Sequence, residues 1–185
     1  MRRTRNIIKK KPKKKLFTLV VEGKTEKLYF EALKQQNEFR NSDYILDVKG
    51  GNGINELFRD FENERIGRDG RHLEKGLTAF VFDKDHLTKV QLQKLLNSGY
   101  LIGYSNPTFE LWLLAHFQTL RSSYADIGKE LLVEFPDYQK TSFKVSKLAH
   151  NYIIAIENSK MLSNPDFNKI GTSISSLINF LLKKQ

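Results

Sequence analysis

The sequence predicts an α/β fold: a mostly parallel four-stranded sheet flanked by helices, with an α-helical annex after it. Three observations carry that expectation. Short runs of branched and aromatic apolar residues recur through the first hundred positions, each stopping at a charged or glycine-bearing junction. Segments with helical periodicity lie between them, and strands alternating with helices at these lengths call for βαβ units and right-handed crossovers. After Ser105 the pattern is helical throughout.

Taken in order, residues 16 to 21 (LFTLVV) form a continuous apolar run ending at Glu22-Gly23, as expected of a strand buried on both faces. Thr25 is placed to cap a helix through about Asn37, with Leu28, Tyr29, Ala32 and Leu33 as its inward stripe. Residues 44 to 48 read as a second strand, Gly50-Gly51-Asn52-Gly53 as a turn, and 54 to 65 as a helix. The polar stretch 65 to 75 predicts an exposed loop. Residues 77 to 82 (LTAFVF) are a third strand stopped by Asp83-Lys84-Asp85, followed by a helix over 88 to 97 and a fourth strand over 100 to 104. Helices are then expected over 107 to 117, 126 to 134, 142 to 158 and 172 to 182. The resulting division is a basic disordered tail (1–15), a sheet domain (16–120) and a helical extension packed on it (121–185).

Composition narrows the chemistry. The 185 residues include no cysteine, which excludes disulfides, thiolate metal sites and cysteine nucleophiles. Any metal must therefore be held by oxygen or imidazole. The N-terminal segment resembles no signal peptide and no apolar stretch approaches membrane-spanning length, so the expectation is a soluble, cytoplasmic protein without a membrane partner. Nine basic residues fall within positions 1 to 15 and account for nearly all of the net charge of +10. Such a run draws phosphate backbones through a sequence-independent, salt-sensitive attraction, or serves as a solubilising tail.

Ligands of open parallel sheets collect outside the carboxyl ends of the strands, and Glu22, Asp83, Asp85 and Asn106 all follow predicted strands there. Side chains two apart in extended chain share a side, so Asp83 and Asp85 are expected to aim at one point while Glu22 arrives from another strand. Three carboxylates so close would repel and take up protons unless a cation sat among them. Hard oxygen ligands select magnesium, manganese or calcium over zinc. Taken alone, Asp-x-Asp reads more readily as a turn, and Glu22 to Glu26 could be a helix start with an acidic first turn; together, at matching strand ends, they favour a site.

The segment 105 to 117 is the most informative. Asn106 as N-cap with Pro107 at the first helical position is a start signal, and the helix beyond is apolar nearly all round. Glu110 lies one position past the capping-box slot, so its burial requires a cation or a tie to Lys24 or Lys84. His116 reads more readily as a satisfied core histidine than as a ligand. The Gly50–Gly53 loop lacks a Gly-Lys-Ser/Thr ending and reads as a turn rather than a phosphate loop.

The order Glu22-Gly23-x-Thr25-Glu26-x-x-Tyr29-Phe30, Phe82-Asp83-x-Asp85 and Ser105-Asn106-Pro107-x-Phe109-Glu110-x-Trp112-Leu113-Leu114-x-His116-Phe117 resembles the RloB-like (AbiLii-like) proteins. That is a Toprim-fold family of abortive-infection and restriction loci. The likeness extends to Tyr138-Gln139-Lys140, similar to the family's Tyr-x-Lys segment, and to Gly171-Thr172 before a last helix. The resemblance implies a Toprim-like sheet and a Mg2+ (or Mn2+) ion at Asp83 and Asp85, with Glu110 as a further acid. It also implies phosphodiester cleavage and an SMC- or ABC-type ATPase partner encoded nearby. Glu22 would serve as general acid/base or second ligand, with Glu26 beside it, and Lys24, Lys84 or Lys140 would steady the phosphate. Ser105, Asn106, His116, Tyr138 and Lys140 complete the candidates for contact with substrate.

One departure stands out: His86 and Leu87 follow the Asp pair where many Toprim sites carry another acid. A second ion would need Glu110 or Glu26. The expected function is a metal-dependent nuclease acting on DNA or RNA in anti-phage defence. The rival is a non-catalytic nucleic-acid-binding or sensor subunit with a structural ion, and homo-oligomerisation stays open for either.

Overall fold

The structure is a computed structural model that describes residues 13–67, 70–163 and 168–183. Strand β1 (Lys15–Val21) leads into helix α1 (Lys24–Leu33), the short helix α2 (Asn37–Arg40), strand β2 (Tyr44–Gly50) and helix α3 (Ile54–Asn63). A two-residue hairpin, β3 (Arg65–Ile66) and β4 (Arg71–His72), precedes β5 (Thr78–Asp83), α4 (Lys89–Leu96) and β6 (Leu101–Asn106). The remainder is α5 (Glu110–Leu114), α6 (Ile127–Glu134), α7 (Val145–Leu148), α8 (Tyr152–Ser159), β7 (Gly171–Thr172) and α9 (Ile174–Leu182).

The sheet runs β2-β1-β5-β6-β7, with the first four strands parallel and β7 antiparallel at the edge. The four expected strands are all there, and β7 adds a fifth. Alternation along β1 sends Phe17, Leu19 and Val21 to one face, where α1, α5, α8 and α9 close the larger core. Val20 joins Phe80, Phe82, Leu57, Leu92 and Leu95 on the other face. Both faces being covered is why these strands read as unbroken apolar runs, and each large side chain so buried contributes about 1.5–3 kcal/mol.

Register decides where the strands stop. Val21 stands opposite both Gly50 and Val81, and Asp83 stands opposite Ser105. The carboxyl ends of β1, β5 and β6 are therefore level, and the next residue after β1, Glu22, donates its N–H to Val81 O at 2.9 Å.

Several local expectations are overturned. Thr25 is not a cap: Gly23 holds that position without a side-chain bond, and Thr25 Oγ1 accepts the N–H of Thr141 at 3.2 Å instead. The helix expected through Asn37 stops at Leu33 and resumes as α2. Asn106 does not cap a helix at Pro107. It ends β6, its side-chain amide donates to Lys169 O at 2.6 Å, and α5 begins only at Glu110; the Asn106-Pro107 peptide is cis. The helix expected over 142 to 158 is broken into α7, a 3-10 turn at Ala149–Asn151, and α8. The expected loop 65 to 75 carries the small hairpin, pinned where Arg71 reaches Asp47 Oδ2 (2.8 Å) and Thr18 Oγ1 (3.2 Å). Most of the basic tail, residues 1 to 12, lies outside the described residues, and β1 starts at Lys15, inside the stretch assigned to it.

Candidate metal centre

Glu22 and Asp83 end neighbouring strands, and the level register brings them together. Glu22 Oε2 accepts the backbone N–H of Asp83 at 2.9 Å, and its Oε1 lies 2.5 Å from His86 Nδ1. Asp83 is 7% exposed, and its Oδ1 is buried with no hydrogen-bond partner. A carboxylate oxygen in that condition costs free energy unless a cation or donor reaches it. Burial, then the charges of Glu26, Glu22, Glu110 and Asp85, hold the Asp83 carboxyl well above the usual carboxylate range.

Asp85 departs from the expected geometry. Residues Lys84–His86 form a 3-10 turn rather than extended chain, so strand alternation does not align the two aspartates, and the Asp85 side chain is half exposed. The same turn nonetheless gathers one ligand-type atom from each of Asp83, Asp85 and His86 to within 4.8 Å of one another. His86 is thus the residue that sequence reasoning passed over, seen only as the place of a missing acid. Its imidazole would be lowered by its partial burial, but the Glu22 contact and the field of Asp85 outweigh that and raise it.

Helix α1 supplies Glu26 from its first turn, and α5 supplies Glu110 as its first residue. Both are buried. Burial, with Glu22 and Glu110 as neighbours, pushes the Glu26 carboxyl up to about 7. Glu110 goes the other way. Burial would raise it, but its own backbone N–H, the Tyr138 hydroxyl and Lys140 outweigh that and hold it below the usual range. Tyr138 donates to Glu110 Oε1 at 2.9 Å and Lys140 Nζ sits 3.1 Å from the same oxygen. The cation that ties Glu110 is therefore Lys140, not Lys24 or Lys84. In return Glu110 raises the Lys140 ammonium.

These groups surround a cleft of about 190 Å³, lined by Glu22, Lys24, Glu26, Asp83, His86, Glu110, Lys140 and neighbouring backbone. Lys24 is exposed at its rim, while Lys84, in the 3-10 turn, is not among the lining residues. A divalent cation suits this donor set: oxygen and imidazole without thiolate, crowded carboxyls driven upward, and one buried oxygen left unpaired. Asp83, Asp85 and His86 could hold one between them, and Glu110 lines the same cleft as Asp83 and His86.

Three of the substrate-contact candidates are spent elsewhere. Ser105 is fully buried, its hydroxyl 2.9 Å from Thr172 Oγ1, and with Asn106 it fastens β6 to β7. His116 is a core residue. Its Nδ1 faces the carbonyls of Trp112 (3.1 Å) and Leu113 (3.2 Å), Nε2 meets the Tyr29 hydroxyl at 3.2 Å, and Tyr29 and Trp112 stand edge-on to the ring.

Burial pushes the His116 imidazole down to about 4 from an ordinary 6.5. A depressed folded value means the unfolded chain binds the extra proton first, so stability is complete above pH 6.5 and is lost as pH falls toward 4. The loss attributable to His116 is about 3 kcal/mol at the acid end of that window. His116→Gln should therefore show a shallower decline in unfolding free energy between pH 6.5 and 4.5 than the parent, measured by urea titration at each pH. Parallel declines would put the imidazole outside the core.

Among the described residues no helix is long and apolar enough to cross a membrane. No curated protein and no solved structure matches the chain. The family model described as RloB-like protein matches residues 17–181. That span takes in the acids at the ends of β1 and β5, Glu110 at the start of α5 and the Tyr138–Lys140 loop that meets them. Across nearly its whole length, the chain belongs to the RloB-like protein family.

Proposed function

We propose that the protein is a metal-dependent nuclease of the Toprim type, hydrolysing phosphodiester bonds of DNA or RNA as the effector of an anti-phage abortive-infection system. The observation that carries this reading is the buried, unpartnered Asp83 Oδ1 set among Glu22, Glu26 and Glu110 at the carboxyl ends of the strands. A bound Mg2+ or Mn2+ would polarise the phosphoryl oxygen and make its water a stronger acid. Asp83 and Asp85 would hold it. Glu22, oriented by the Asp83 N–H and by His86 Nδ1 at 2.5 Å, faces the cleft as the general acid/base. Lys140 and Lys24 offer positive charge to the phosphate at the cleft, and the basic N-terminal run draws the nucleic acid backbone to the protein. The ATPase partner belongs to this reading through the family resemblance.

The test is incubation of the purified protein, alone and with its neighbour-encoded ATPase, with plasmid and with total RNA in Mg2+ or Mn2+. Cleavage that survives Asp83→Asn sinks the assignment. A second reading, a binding or sensor subunit with a structural ion, is favoured by one observation: Glu110 is already neutralised by Lys140 and Tyr138. Absence of cleavage in every condition, with the ATPase still captured, decides for that reading.

Metal binding has its own signature in stability. A carboxyl raised to about 7, as Glu26 is, favours the folded state only while protonated, so stability is full below pH 4.5 and is lost as pH rises through 7. A cation in the cleft removes that penalty. Added Mn2+ should raise the melting temperature by about 5 °C or more at pH 8 and by much less at pH 5.5. Equal shifts at the two pH values would mean the ion binds away from these acids.

A further inference from the structure

Resting on the reading of this cleft as a metal site, we infer that its ion is a first-row transition-metal dication that accepts imidazole nitrogen, rather than Mg2+. Asp83, Asp85 and His86 are its protein ligands, and Glu22 is the positioning residue for His86. Three observations point there. The turn Lys84–His86 gathers one donor atom from each of Asp83, Asp85 and His86 to within 4.8 Å. Asp83, more than nine-tenths buried, keeps Oδ1 without a partner. His86 Nε2 stands 3.9 Å from Asp85 Oδ1, too far for a hydrogen bond but within the span of two donors each about 2.0–2.2 Å from one ion.

The tautomer follows from Glu22. Its Oε1 engages His86 Nδ1 at 2.5 Å, which makes Nδ1 the protonated nitrogen and leaves the Nε2 lone pair for an ion. Metal-ligating histidines are held this way, with the other ring N–H donated to a carboxylate that fixes the ring and strengthens it as a donor. Mg2+ has little use for imidazole and keeps its waters, whereas first-row transition ions accept nitrogen readily. His86 therefore selects the ion, at the position where a further acid would have kept the site all-oxygen.

The experiment uses the full chain with two probes, Mg2+ followed by calorimetry and Co2+ followed by its visible absorption. The parent is expected to bind Co2+ more tightly than Mg2+. His86→Gln, whose side chain is half exposed and whose folding is checked by its melting curve, should lose about 10- to 100-fold in Co2+ affinity and change Mg2+ affinity little. Glu22→Gln should weaken Co2+ by a similar factor, and Mn2+-loaded parent should show imidazole nitrogen coupling in pulsed EPR that His86→Gln lacks. If His86→Gln leaves both ions unchanged or weakens them equally, while Asp83→Asn abolishes binding, the metal site stands and His86 is no ligand. If the parent binds neither ion, the metal site itself fails.

Discussion

Asp83→Asn is expected to reduce metal-dependent cleavage by about 10³-fold or more while making the metal-free protein more stable. The first effect follows from removing a ligand whose charge, through the ion, stabilises the transition state by several kcal/mol. The second follows from the crowding at this position. At pH 8 the parent must hold Asp83 near Glu26, Glu22 and Glu110 in a site that already drives its carboxyl upward. An asparagine of the same shape removes one negative charge and brings an N–H2 donor to the acids around it. The melting temperature of the metal-free variant should rise by about 3–5 °C, what 1 to 2 kcal/mol is worth for a chain of this length. A residue serving only to hold the fold would do the reverse, so a drop in melting temperature with cleavage retained would remove Asp83 from the site.

Gly50→Ala should be the most damaging single-methyl change in the sheet. Gly50 ends β2 at φ +86°, where L side chains are rare, and an added Cβ would stand 2.2 Å from the carbonyl oxygen of Val21. Backbone cannot swing aside as a side chain can. The cost should be about 3 kcal/mol or more, read as a lower urea midpoint and a melting temperature down by about 6–12 °C. Because Val21 precedes Glu22, metal affinity should fall with it. Gly53→Ala is the control: φ is +104° but nothing lies within 4 Å of the added methyl, so only the backbone strain of about 1–3 kcal/mol applies, without the clash that Gly50→Ala adds. Equal losses in the two variants would show that β1 and β2 yield at this point.

The positions that were legible in the sequence share a physical cause. A strand buried on both faces has no choice but an apolar run, so β1 and β5 announce themselves, and the acids that stop them mark their carboxyl ends. The motif order that resembles the RloB-like proteins is likewise local, and the family match bears it out. Illegible were the contacts made by return of the chain. Lys140 meets Glu110 across thirty positions, and no periodicity carries that distance. Asn106-Pro107 is a helix-start signal that a turn can use equally, and here the strand keeps Asn106. Asp85 and His86 depended on whether three residues stayed extended or curled into a 3-10 turn, a choice that sequence spacing does not make. At two residues, β7 is too short to show a period.

The loop that carries Tyr138, Lys140 and Thr141 is fastened at both sides of the cleft, to Glu110 and to Thr25. Its consequence is one of modularity. The sheet is not a self-contained engine to which helices were appended, because the counter-charge of one of its acids comes from the appended part. A fragment ending at residue 120 would keep every strand-end carboxylate and lose the lysine set against Glu110, so it would carry a more negative cleft than the whole chain. Recombining the sheet with another protein's helices would reset the charge of the site along with the surface of the molecule, and the two halves must therefore change together.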